Sequence, residues 1–177
     1  MAVARIVLLC IVAAMLYGVA QDMVTARVCV EYFTVGHPPV FDTESPTLLA
    51  LGWGVSTTWW VGALLAVPLT VVSRAGGRPA LDARDLVKPV LALLGVIAAV
   101  ALAAGAAGWL TARSGGVWLL EPLASRVPRE KHARFIADLW AHTAAYGAGF
   151  LGGIVLCALA WRRRGRTAAG IEGNGKA

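Results

Sequence analysis

Residues 86–112 read LVKPVLALLGVIAAVALAAGAAGWLTA, and from Pro89 to Ala112 no charged side chain interrupts 24 consecutive positions. As a helix rising ~1.5 Å per residue this run covers about 36 Å, more than the ~30 Å hydrocarbon core of a bilayer. A water-soluble domain could hold such a rod only by burying it on every side, and 177 residues leave little chain to do so. The stretch therefore reads as a transmembrane helix, expected over about 86–112.

The rest of the chain repeats the pattern. Thr47 to Val72 is a second long apolar run, with Pro46 where a helix's first turn tolerates a missing N–H and Pro68 placed to kink it. A third runs from Leu139 to Trp161 and ends in Arg162-Arg163-Arg164-Gly165-Arg166; Pro128 starts its helix early, so that helix is expected over about 129–161 and should project beyond the hydrocarbon or tilt. Near the start, Ile6 to Ala20 follows Arg5. Its small residues Gly18-Val19-Ala20 suit a signal-peptidase site, while a retained helix over 2–20 would have ~19 residues, enough to span. Both readings are open at this point.

Composition agrees. Hydrophobic residues make up 58% and charged residues 15% of the chain, against ~25% charged in soluble domains. The length suits one domain, 1–166, with a Gly- and Ala-rich cytoplasmic tail over 167–177 expected to be disordered. The net charge is +6 and the pI about 9.8, but the basic residues crowd beside apolar runs instead of forming an aromatic-interleaved basic face, which argues against nucleic acid as a partner. Cys10 and Cys157 lie inside apolar runs and Cys29 in a loop; three cysteines without a CxxC give neither a disulfide framework nor a zinc ribbon.

Lys and Arg orient the spans. With the N-terminus, the loop 73–85 and the C-tail on one side, that side carries ten basic residues and the other six, with three against seven acidic residues in the opposite sense. The expected fold is thus all-α: an integral membrane four-helix bundle, N-in/C-in, with an outward-facing polar cap from loops 21–46 and 113–137. Within the first loop, 24–35 is rich in β-branched and aromatic residues and reads as extended, with a helical continuation as the alternative because Arg27 and Glu31 are four apart. Lipid tails give helices no hydrophobic drive to associate, so small-residue stripes should mark the contacts: Gly95, Ala99, Ala103 and Ala107 on the third helix, and Ala141, Ala145, Gly149 and Gly153 on the fourth. Trp53, Trp59 and Trp60 read as packing residues, and Trp109, Trp118, Trp140 and Trp161 as interfacial anchors.

No Asp, Glu, Lys or Arg lies in the middle of a span, which argues against a proton-coupled pump. Ser56-Thr57-Thr58 can bond its own helix's carbonyls. The polar residues with chemical scope gather at the cap. Asp138 and His142, four apart, share a helical face, and Glu31 or His37 from the first loop could meet them. Imidazole with carboxylate is the donor set of zinc, iron or manganese, so Glu31, His37, Asp138 and His142 form a candidate metal or polar site; the competing reading is a hydrogen-bonded cluster that orders the cap. HExxH, GxSxG and a phosphate-cradling glycine loop are all missing, and no cofactor is assigned.

Thr25-Ala26-Arg27-Val28-Cys29-Val30-Glu31-Tyr32-Phe33-Thr34-Val35-Gly36-His37-Pro38-Pro39 resembles a segment of uncharacterised bacterial four-helix integral membrane proteins. Leu51-Gly52-Trp53-Gly54-Val55 and Phe135-Ile136-Ala137-Asp138-Leu139-Trp140-Ala141-His142 carry the same resemblance. It covers most of the chain and implies no catalytic role. The Ala-, Val-, Gly- and Arg-rich usage suits a GC-rich bacterial genome and hence a cytoplasmic (inner) membrane. The functional expectation is a binding, accessory or partner-stabilising component acting through its cap, in contact with the bilayer and with another membrane protein or a second copy. The alternatives are a metal-binding protein or metalloenzyme at the His/carboxylate site, and a transporter subunit.

Overall fold

The computed structural model describes the backbone of residues 1–174, with side chains to Arg166 and at Ala168. Six helices follow in order: α1 (Ala2–Val28), α2 (Glu31–Thr34), α3 (Pro46–Arg74), α4 (Ala83–Arg113), α5 (Leu123–Arg126) and α6 (His132–Asn174), the last entered through a 3-10 turn over Arg129–Lys131. Among the described residues there is no strand. Among the described residues four helical segments, Ala2–Val28, Pro46–Arg74, Ala83–Arg113 and Arg129–Arg166, are long and apolar enough to cross a membrane. Of the tail expected to be disordered, 167–177, the backbone is helical to Asn174 and residues 175–177 lie outside the described residues.

The first helix differs most from expectation. It continues through Val28, not to about residue 20, and the stretch expected to be extended supplies its last turns and then α2. Local β-propensity is overridden because the polar residues of those turns find partners. Asp22 and Thr25 face inward and are buried, while exposed Arg27 folds back onto the Met23 carbonyl at 2.7 Å and reaches Thr47 Oγ1 at 3.2 Å. α3 starts as its sequence suggests, with Ser45 capping Leu48 N–H and Pro46 in the first turn, and it runs on past Pro68. α4 opens on a capping box between Asp82 and Asp85.

The spans pack as two pairs, α1 along α3 and α4 along α6, with sparser contact between the pairs. At α1–α3 the backbones nearly touch. A Cβ on Gly54 would lie 2.6 Å from Val19 Cα, and one on Gly62 would lie 2.7 Å from Ile11 Cα. Thr58 stands between these two glycines, turning its hydroxyl to the Gly54 carbonyl, so Gly54, Thr58 and Gly62 form a small-residue stripe at four-residue spacing. Ser56 and Thr57 likewise bond Gly52 O and Trp53 O at 2.7 Å each.

The stripes on the other pair divide. On α6, Ala145 is buried, Gly149 faces Ile97 and Gly153 faces Leu65. On α4 the contact face is a different one: Gly95 would meet nothing within 4 Å, Ala99, Ala103 and Ala107 are exposed, and the surface against α6 holds Ile97, Ala101, Gly105 and Gly108 instead. Ala and Gly are frequent enough in α4 to form a stripe on more than one face. Trp59 and Trp60, expected to be packing residues, are also exposed.

Both short-loop ends and the start of α1 meet in one apolar cluster around Ile6, Leu69, Leu86 and Leu156. Arg164 locks that end. Its side chain is 0% exposed and donates to the carbonyls of Val72, Arg78 and Pro79 at 2.7–2.8 Å. Arg163 pairs with Asp85 at 3.1 Å, and Arg78 lies 4.2 Å over the Trp161 ring. Two members of the basic run after the last span are thus spent closing the α3–α4 loop.

Gly54→Ala should overpack the α1–α3 seam and cost about 1–3 kcal/mol, lowering the thermal midpoint in detergent. Gly95→Ala, in open space on a helix, should leave the midpoint unchanged or raise it, by up to ~1 kcal/mol of helix propensity. Equal midpoints for the two variants would contradict the seam.

Candidate functional site

The long loops, 29–45 and 114–128, close over one end of the bundle and share an apolar cluster that includes Cys29, Phe33, Leu119, Val127 and Phe135. Beneath this lid lies a polar cluster built from two helices. The last turns of α1 carry Asp22 and Thr25, three apart, and the first turns of α6 carry Asp138 and His142, four apart. Thr25 Oγ1 and His142 Nε2 share a hydrogen bond of 3.0 Å, and Asp22 Oδ1 stands 3.6 Å from the same nitrogen. Asp22 and Asp138 are each 4% exposed, and Asp138 Oδ2 is a buried acceptor without a hydrogen-bond partner.

The lid is tied to this cluster through Tyr32 on α2. Its ring stacks on the His142 imidazole, with centroids 4.6 Å apart and 23° between planes, and lies 5.0 Å from the His37 ring. His37 Nδ1–H donates to the Tyr32 carbonyl at 2.8 Å, and its ring packs 4.8 Å from Trp53. Burial pushes the Tyr32 phenol above its ordinary range, so it remains neutral. At the loop-to-loop contact, the Lys131 ammonium donates to Glu31, and the Cys29 thiol donates to Glu31 Oε2 at 3.4 Å. His132 Nε2–H donates to Val127 O at 2.9 Å and fixes the turn into α6.

Glu31, His37, Asp138 and His142 therefore lie at one end of the bundle but do not converge on a single point. Glu31 is turned to Lys131, His37 is held among Tyr32, Phe33 and Trp53, and the Tyr32 ring stands between the two imidazoles. Among the described residues no three His, Cys, Asp or Glu side chains stand together as a metal-ligand group. The partners His142 does find are Asp22 and Thr25, which sequence reasoning did not select. Their three-residue spacing would have shown one face only if 21–28 had been read as helix. Cys29, placed by sequence in an aqueous loop, is buried. Burial, with the hydrogen bond and charge of Glu31, pushes its thiol up to about 12, which keeps it protonated and unreactive.

Two cavities meet at the cluster. One, about 490 Å³, lies between the helix pairs and runs from Asp22 and His142 to Cys157; the other, about 690 Å³, opens between α1, α4 and α6 and touches Thr25 and Asp138. Tyr17 and Gln21 line both. No family model, curated protein or solved structure matches the chain.

Burial raises the Glu31 carboxyl, but hydrogen bonds from Lys131, its own backbone and Cys29, with the ammonium charge, outweigh this and hold it below its ordinary 4.5. The folded state thus binds this proton less readily than the unfolded chain. The contribution is full above the ordinary carboxylate range and fades as pH falls from there through the lowered value. Amide exchange in 29–37 should accelerate over that acidic window, and Glu31→Gln should flatten the change. Equal acid sensitivity in the variant would contradict the Glu31–Lys131 tie.

Proposed function

We propose that the protein is a membrane-embedded binding component without a bond-making role, and that its binding centre is the Asp22–Thr25–His142 cluster beneath the long-loop lid. The observation that carries this reading is a buried polar node opening onto a cavity of about 490 Å³, within the ~300–1,000 Å³ usual for small-ligand sites. Apolar walls with a few convergent polar groups suit recognition. The lid residues around it are engaged with one another: Glu31 with Lys131, Cys29 with Glu31, and His37 with Tyr32. Ligand occupancy of the centre would then be felt by the lid through the Tyr32–His142 stack, giving a partner protein or a second copy a surface to read.

A bacterial inner-membrane setting, N-in/C-in with the lid facing outward, fits the ten-to-six partition of Lys and Arg. In that orientation compartment reporters fused to either end report the cytoplasm. A metal-binding role rests on the Asp22–His142 pair, where carboxylate and imidazole meet at 3.6 Å.

Native mass spectrometry of the detergent-extracted protein tests the binding role. A co-purifying small-molecule adduct should appear on the wild type and fall sharply in His142→Ala. A bare polypeptide mass for both would contradict it, and a stoichiometric transition-metal adduct lost in His142→Ala would favour the metal reading.

A further inference from the structure

The cavity beside the Asp22–His142 cluster has an opening, a length and a polar end, and together these specify a ligand class. Its mouth lies between α3 and α6, where Leu64, Phe150 and Ile154 line it and stand exposed on helices long and apolar enough to lie in hydrocarbon. A ligand thus arrives sideways from the bilayer. Along α6 the lining extends from His142 to Cys157, about 22 Å at 1.5 Å per residue, somewhat longer than the ~15 Å half-thickness of the hydrocarbon. At this length and volume it holds one extended chain and not a pair.

The polar end sets the head group. Gln21 lines this end, its Oε1 buried without a hydrogen-bond partner among the described residues, and the Asp22 carboxylate that also lines it is a second acceptor. Among the described residues no Lys or Arg lines the cavity, so a phosphate, sulfate or carboxylate head would meet a carboxylate and no counter-charge. Unpaired acceptors are satisfied by a donor, and a hydroxyl is the smallest uncharged one.

We propose that this cavity is a lateral binding site for a single-tailed, uncharged membrane lipid with a hydroxyl head, such as a long-chain alcohol or a monoacylglycerol, a hydroxyl donating to Gln21 Oε1. The proposal rests on the binding role above and names its ligand class.

The full-length protein in phosphatidylcholine nanodiscs is titrated with a monoacylglycerol brominated on its acyl chain. Quenching of Trp60, which lines the cavity, is isolated by subtracting the Trp60→Phe signal. Saturable quenching is expected, displaced by an unbrominated long-chain alcohol and not by an alkyl sulfate of equal length. Loss of one buried hydrogen bond in Gln21→Leu should weaken binding about tenfold, and Ala14→Phe should abolish it by filling the tail channel. These variants probe head and tail separately, so one suffices if the other fails to fold. If the brominated alcohol binds and the monoacylglycerol does not, the site still takes a hydroxyl head and its source is the alcohol. Displacement by the sulfate as readily as by the alcohol, or unchanged affinity in Gln21→Leu, would overturn the hydroxyl assignment and leave the binding role standing. Quenching that rises linearly with every brominated lipid, sulfate included, would overturn both.

Discussion

One constraint organises much of this structure: inside hydrocarbon, a polar group is stabilised by a partner within the protein, and Gln21 Oε1 and Asp138 Oδ2 stand as exceptions. The backbone meets it by being helical across four spans. Ser56 and Thr57 meet it by returning their hydroxyls to the preceding turn. Thr25 on α1 instead bonds His142 on α6, with Asp22 3.6 Å from the same imidazole, across the boundary between the two helix pairs.

The two ends of the bundle solve their closure differently. At the short-loop end a single guanidinium, Arg164, satisfies a cluster of backbone carbonyls that the tight α3–α4 loop leaves exposed. The planar fork of donors suits that task, as a lysine ammonium would not. At the long-loop end closure is aromatic and layered: Trp53 under His37, His37 against Tyr32, Tyr32 on His142. The first end is a fixed lock. The second stacks rings over cavities.

Much of the fold was legible in sequence because the spans obey simple rules: length, charge exclusion, and proline or capping residues at their starts. Pro46 and Pro128 mark helix starts within a residue or two of where they occur, while α4 opens at Ala83, three residues before the expected start. The site was legible only in part. His142 stood out as an imidazole on a helix face, but Asp22 was one polar residue among several in the first loop and Thr25 was masked by reading 24–35 as extended. A β-branched run reads as extended until tertiary partners are known, and those partners lay 117 residues away in sequence. The α1–α3 seam was missed for a related reason. Gly54 and Gly62 are eight apart with a threonine between them, and a hydroxyl returned to its own helix can pack as a small residue, a fact visible only once Thr58 is seen facing the Gly54 carbonyl.

The central claim is that His142 is held inside the bundle by Asp22 and Thr25. Nitrogen NMR of histidine-labelled protein in bilayers measures this most directly. The claim predicts that one of the three imidazoles shows a hydrogen-bonded Nε2 resonance that shifts with Thr25→Val and with Asp22→Asn and is absent in His142→Ala. Three imidazoles that all behave as freely hydrated rings, indifferent to both substitutions, would contradict it.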